Sequence, residues 1–134
     1  MDKISDEKKV SGTVLVIDDS PMEQKILRIY LEKGEMCCLV LTADNGKHGV
    51  DMAIKERPDI IILDLEMPVM DGIEALTHLK NNDDTKDIPV LMFTSVGEFD
   101  IRERCFSLGA KGFLNKPHGI KEITDMVREL LTVQ

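Results

Sequence analysis

A chain of 134 residues with a net charge of −8, 43% hydrophobic and 31% charged, is sized for one domain around one core. The acidic balance excludes a non-specific nucleic-acid binder, which needs a basic footprint, and disfavours an anionic membrane surface. No apolar run reaches the ~20 residues of a membrane span, and the charged start Met1-Asp2-Lys3 lacks a secretory signal's apolar core, so the expected location is cytoplasmic.

Residues 1–11 read as a flexible tail and 12–134 as the folded domain. A first strand is expected over roughly 13–18, where Val14-Leu15-Val16-Ile17 runs into Asp18-Asp19. The next helix opens on Ser20-Pro21-Met22-Glu23, the pattern of a capping box with Pro in the first turn. Met22, Ile26, Ile29 and Tyr30 give it one apolar face, and Gly34 marks its stop. Cys37 to Thr42 reads as a second strand. A helix over about 46–56 follows, with Val50, Ala53 and Ile54 inward and Pro58 beyond its end.

The third strand runs from Ile60 to Asp64. A loop from Leu65 to Gly72 leads to a helix carrying Ile73, Leu76 and Leu79, closed by the turn cluster Asn81-Asn82-Asp83-Asp84. Val90 to Thr94 forms the fourth strand. The fourth helix buries Ile101, Cys105 and Leu108 and stops near Gly109. A fifth strand at about 112–115 precedes a last helix with Ile120, Ile123, Val127 and Leu130 inward.

Five strands alternating with five helices imply an α/β, doubly wound parallel sheet with right-handed crossovers. The last helix runs to the C-terminus, which leaves the expectation that no output domain is fused here. Three cysteines, Cys37, Cys38 and Cys105, make no disulfide framework and read as small buried apolar side chains. Adjacent Cys37 and Cys38 are expected on opposite faces of their strand. His48, His78 and His118 lie at unrelated positions and form no metal cluster.

In an open parallel sheet, ligands sit beyond the carboxyl ends of the strands. Asp18-Asp19, Asp64, Thr94 and Lys116 all follow apolar runs, so they gather at one edge. Taken singly, Asp18-Asp19 serves equally well as a helix entry and Asp64 as a turn former. Together they are three carboxylates, a hydroxyl and an ammonium. Like charges held together are costly unless a proton, a lysine or a cation neutralises them, and Lys116 offsets only part. Mg²⁺ suits the remainder, since it joins one or two carboxylates to phosphate oxygens. A carboxylate there can attack a phosphoryl group and form an acyl phosphate, with Lys116 and Thr94 partnering the transferred oxygens.

The run Leu63-Asp64-Leu65-Glu66-Met67-Pro68-Val69-Met70-Asp71-Gly72, with Asp18-Asp19, Thr94-Ser95 and Lys116-Pro117 in order, resembles the receiver domains of bacterial two-component response regulators, over about residues 12–132. The resemblance implies a flavodoxin-like sheet of strand order 2-1-3-4-5. It implies a single-domain, chemotaxis-regulator-like switch in which Asp64 accepts a phosphoryl group from a sensor histidine kinase or phosphotransfer protein. Such a protein is no enzyme beyond its own phosphorylation and dephosphorylation. Asp19, Asp64 and the backbone carbonyl of Glu66 then bind Mg²⁺, with Asp18 acting through a water. Lys116 pairs with the phosphoryl group, and the Lys116-Pro117 peptide is expected to be cis. Thr94 and Phe113 form the switch, and Glu66 and Val96 set the phosphate's lifetime. The face of the fourth helix, fifth strand and fifth helix is the expected contact for a target or a dimer, with Glu98, Asp100, Arg102, Glu103 and Arg104 otherwise a solvated surface.

Two other classes fit less well. A haloacid-dehalogenase-like phosphatase also uses a Mg²⁺-bound Asp nucleophile, but carries a second Asp where this chain has Glu66, and its nucleophile follows the first strand. A flavin module would place a hydroxyl- or glycine-rich phosphate loop where this chain has Asp18-Asp19-Ser20-Pro21.

Overall fold

The computed structural model describes residues 10–33, 36–116 and 119–132. In chain order they form β1 (Val10–Ile17), α1 (Pro21–Glu32), β2 (Met36–Ala43), α2 (Gly46–Glu56), β3 (Ile60–Leu63), α3 (Gly72–Lys80), β4 (Val90–Thr94), α4 (Phe99–Ser107), β5 (Gly112–Asn115) and α5 (Ile120–Thr132). The strands pair in the order β2-β1-β3-β4-β5, every pair parallel. This is the flavodoxin-like order.

The strands lack polar alternation because both faces of the sheet are covered. Val14 and Val16 of β1 pack with Leu27 and Leu31 of α1 and Ile123 and Val127 of α5. Leu15 and Ile17 face the other layer, with Val50 and Ala53 of α2, Leu76 and Leu79 of α3, and Cys105 of α4. These two layers hold the sheet, each fully buried Leu or Ile contributing about 2 kcal/mol. Among the described residues no helix is long and apolar enough to cross a membrane.

Local signals act as their chemistry dictates at most helix starts. Asn45 accepts the His48 N–H to open α2, and Asp71 accepts the Glu74 N–H to open α3. Each satisfies one of the backbone donors that a helix start leaves free. The box at α1 is only half formed. Ser20 Oγ accepts the Glu23 N–H at 3.3 Å, but the Ser20 N–H donates to Asp18 Oδ1 at 2.9 Å instead of to Glu23.

The inward face of α1 differs from the expected one. Leu27 and Leu31 are fully buried, whereas Met22 is 69% exposed, Ile29 41% and Tyr30 49%. Both sets have helical spacing, so α1 carries apolar residues on two sides. Gln24 bonds from the leucine side: its amide donates to the Asp18 carbonyl at 2.7 Å and to Asp44 Oδ1 at 2.9 Å. Those two bonds tie the leucine side of α1 to the residues that follow β1 and β2.

Smaller differences follow from pairing. β1 opens at Val10, inside the stretch read as a tail, because Met36 and Cys37 extend β2 alongside it. Cys38 and Cys105 are buried as expected, but Cys37 is exposed: β2 alternates buried and exposed positions, and Cys37 lies on the face opposite Cys38, uncovered there. Burial pushes the Cys38 thiol up to about 11, which leaves it inert at neutral pH. In α4 only Cys105 is fully buried, and Ile101 and Leu108 pack partly. The Gly34 stop, the Lys116-Pro117 peptide and His118 involve positions outside the described residues.

Candidate functional site

The sheet's hydrogen bonding runs one step past the strands and places the acidic residues. Asp18 N–H donates to Ala43 O and Asp64 N–H donates to Ile17 O, each at 3.0 Å. Both main chains are thus tied to a neighbouring strand where their side chains leave the sheet. Asp18 is 2% exposed and Asp64 7%, while Asp19 lies open to solvent. One carboxylate oxygen from each of the three lies within 4.8 Å of the others.

Lys116 reaches this group from the end of β5. Its Nζ donates to Asp18 Oδ2 at 2.7 Å and lies 3.5 Å from Asp64 Oδ2. The remaining Asp64 oxygen, Oδ1, accepts the Leu65 N–H at 2.8 Å. Burial pushes the Asp18 carboxyl above its ordinary value, against the Lys116 hydrogen bond and the Ser20 N–H that favour its charge. Burial also opposes the Lys116 charge, but Asp18 and Asp64 outweigh it and hold the ammonium above the usual lysine range. One ammonium therefore does not neutralise three carboxylates. The donor set fits a hard divalent cation, which takes oxygen ligands and keeps waters, with Asp19 and Asp64 as the natural holders.

Thr94 is fully buried at the end of β4. Its Oγ1 accepts the Val96 N–H at 3.2 Å, and its carbonyl accepts the Lys116 N–H at 2.9 Å and the Asn115 amide at 3.3 Å. Thr94 and Lys116 are thus joined through backbone before any ligand is considered. Phe113 lies inward, 4% exposed. Arg102 crosses from α4, its guanidinium carbon 5.3 Å from the Phe106 ring centroid and 5.8 Å from that of Phe113.

Glu66 and Val96 both line a cleft of ≈ 280 Å³ with Asp71, Ile101 and Arg104. The two positions expected to set a phosphate lifetime therefore share one opening, which Leu65, the residue after Asp64, also lines. The loop that carries Glu66 is tightly held. Val69 lies at φ 70 and the Met70 N–H donates to Pro68 O at 2.7 Å, a γ-turn of the strained kind. Gly46 N–H donates to Met70 O, and Gly72 N–H to Leu65 O at 2.8 Å. A Cβ on Gly46 would overlap Met70 O, and one on Gly72 would overlap Asp64 O.

The structure thus brings Asp18, Asp19, Asp64, Thr94 and Lys116 to one edge, with Phe113 on the neighbouring strand, paired with Met92 two residues before Thr94. Sequence reasoning missed Gln24 and gave Arg102 only a place on a solvated or partner-facing surface. For Arg102 a signal existed: an arginine four residues before Phe106 on one helix, the spacing at which side chains meet.

The profile of the response regulator receiver domain matches residues 14–128, and the chain belongs to that family. It is similar to the chemotaxis protein CheY of Halobacterium salinarum, 34% identical over 119 residues that cover 89% of this chain and 96% of that protein. It is also similar to the protein-glutamate methylesterase/protein-glutamine glutaminase of Methanococcoides burtonii, 36% identical over 88% of this chain and 33% of that protein. The chain spans only 33% to 48% of the length of several such curated relatives. Among solved structures, Vibrio cholerae CheY4 superposes with a TM-score of 0.80 at 29% identity, covering 90% of this chain and 99% of that one. The Mn²⁺-bound form of response regulator Rcp1 superposes with a TM-score of 0.75 at 26% identity, covering 92% and 97%.

Proposed function

We propose that this chain is a stand-alone phosphoacceptor switch of the cytoplasm, working in Mg²⁺-dependent two-component signalling. The observation that supports this best is the triad of carboxylates Asp18, Asp19 and Asp64 with Lys116 bonded among them. In this reading an Asp64 oxygen attacks the phosphorus of a phosphohistidine on a sensor kinase or phosphotransfer protein. The N–P bond breaks, the imidazole leaves with its electron pair and takes up a proton, and Asp64 becomes an acyl phosphate. Asp19, Asp64 and the Glu66 carbonyl would hold Mg²⁺, with Asp18 assisting through a water, and the cation would supply charge neutralisation for the transferred oxygens. Lys116 turns from Asp64 to a phosphoryl oxygen, and the Thr94 hydroxyl leaves the Val96 N–H for another. Phe113 follows Thr94, and the change reaches a target or dimer partner on the α4, β5 and α5 face. No substrate other than the chain's own Asp64 is turned over, and neither membrane nor nucleic acid is a partner.

Incubation with acetyl phosphate and Mg²⁺, followed by intact mass measurement, tests this reading. A single phosphoryl adduct that needs Mg²⁺ and disappears with hydroxylamine is expected. An unchanged mass in a folded, Mg²⁺-binding protein counts against it.

The exposed stripe of α1 supports a helical donor surface. Met22, Ile29 and Tyr30 are exposed on the helix that follows Asp19, an apolar stripe of the kind on which a partner helix lies. Ile29→Asp is expected to slow transfer from the cognate phosphohistidine protein by about fivefold or more, with the acetyl phosphate rate unaltered. Equal slowing with both donors contradicts a docking role.

Val96 is apolar and cannot orient an attacking water, while Glu66 adds negative charge in the cleft through which hydroxide would approach. Slow self-dephosphorylation is therefore expected. Val96→Glu combined with Glu66→Asn should shorten the adduct's lifetime by roughly tenfold, a small part of what a positioned acid–base group contributes. An unchanged decay by timed mass measurement would sink the lifetime argument.

A further inference from the structure

We propose that Arg102 is a positioning residue that holds Phe113 inward and thereby sets how readily the acidic site accepts a phosphoryl group. The proposal rests on the switch reading of Thr94 and Phe113 given above. Three contacts converge on one guanidinium. It lies 5.3 Å from the Phe106 ring centroid and 5.8 Å from the Phe113 centroid, and Arg102 Nη1 donates to Phe113 O at 3.4 Å. Phe106 is four residues on along α4, so its ring and Arg102 share a helix face. That stack gives the cation a fixed place on α4, from which it reaches across to β5.

The anchoring of α4 makes this contact consequential. Only Cys105 of the helix is fully buried, and Glu98 at its start supplies no side-chain cap. Phe99 is 72% exposed. With so little burial, a bridge to β5 is a large part of what fixes α4 against the sheet. Phe113 has no hydroxyl with which to hold itself in place by a hydrogen bond. The planar cation over its ring supplies the directional contact that the side chain itself lacks.

Phe113 lies one strand from Thr94: Met92 pairs with Phe113 and Thr94 with Asn115 in the β4–β5 register. A bias on the ring is therefore a bias on the space available to Thr94. By linkage, if Arg102 favours the inward ring and the phosphoryl group favours the same arrangement, each strengthens the other by the same factor. A cation–π contact at a partly exposed position corresponds to a population change of about two- to fivefold.

The experiment uses the full chain labelled with 4-fluorophenylalanine, whose four ¹⁹F signals are assigned by Phe→Leu substitutions. Wild type, Arg102→Ala and Arg102→Lys are titrated with beryllofluoride in the presence of Mg²⁺. Arg102 is exposed on a helix and alanine is a good helix former, so both variants should fold, as circular dichroism will verify. The Phe113 signal in Arg102→Ala is expected to move toward the solvent-exposed shift, and beryllofluoride affinity to fall by about two- to fivefold. Arg102→Lys, which keeps charge but loses the planar stack, should fall between. An unmoved Phe113 signal, or an affinity equal to or above wild type, overturns the proposal. Failure of wild type itself to bind beryllofluoride speaks against the receiver chemistry instead, and the ¹⁹F signal then decides the Arg102 contact alone.

Discussion

Asp64→Asn is expected to abolish the acetyl phosphate adduct while leaving the chain folded. The amide matches the carboxylate in size, and its oxygen can still accept the Leu65 N–H that Asp64 Oδ1 accepts at 2.8 Å. The amide nitrogen cannot attack phosphorus, because its lone pair is delocalised into the carbonyl. Lys116 loses the longer of its two contacts, 3.5 Å to Asp64, and keeps the 2.7 Å bond to Asp18. Removing one of three clustered negative charges also relieves repulsion, so a melting temperature at or above that of wild type is expected. Intact mass and a thermal melt on the same sample check both halves. An adduct that survives Asp64→Asn places the acceptor on another carboxylate, with Asp18 the nearest to Lys116.

Lys116→Met acts through stability as well as chemistry. The Lys116 side chain is 11% exposed and its partners Asp18 and Asp64 are 3% and 10% exposed, so water does little to screen what is left behind. Removing one member of a buried ion pair is strongly destabilising because it leaves an uncompensated charge; a loss on the order of 3 kcal/mol is expected for the metal-free protein. The pH dependence follows from the two shifts. Lys116 is held above its ordinary value, so its contribution is complete below the usual lysine range and is lost as pH rises through the raised value. Asp18 is also raised, so the folded protein binds that proton more tightly than the unfolded chain does, and stability falls as pH rises through the carboxyl range. The gap between wild type and variant is therefore widest between the two titrations and closes toward acid, where Asp18 is protonated. Urea unfolding across pH measures it, and Mg²⁺ should narrow it by binding only the folded state. A gap that does not depend on pH would assign the loss to packing of the lysine stem.

Much of the fold was legible because burial on both sheet faces writes itself as uninterrupted apolar runs. The run Val90 to Thr94 coincides with β4, and Asp18, Asp64, Thr94 and Lys116 fall on one edge because each terminates or follows such a run. Helix α1 was misread for a physical reason. Met22, Ile26, Ile29 and Tyr30 have the spacing of a buried face, but so does the pair Leu27 and Leu31, and periodicity cannot rank two stripes on one helix. The side that meets the sheet is also the side on which Gln24 finds its partners Asp18 and Asp44, on other segments. Arg102 escaped for the same reason: its meaning depends on Phe113, eleven residues away and on another element. The Ser20 box was read whole but is half formed, since Asp18 competes for the Ser20 N–H. In each case a local pattern was correct as far as it went, and a distant partner decided the outcome.

The two glycines that brace the loop after β3 divide this corner of the molecule into opposing kinds of position. At Gly46 and Gly72 any side chain drives into main-chain oxygen, of Met70 in one case and of Asp64 in the other, so a library sorted only for folding should keep both as glycine. The same sorting applies an opposite pressure at Asp19 and Asp64, where neutral residues lessen repulsion, while Asp18 is retained as the 2.7 Å partner of buried Lys116. Selection for folded protein alone would thus preserve the frame and erode the Asp19 and Asp64 carboxylates it displays, and the two classes of residue could be told apart from survival frequencies without any assay of signalling.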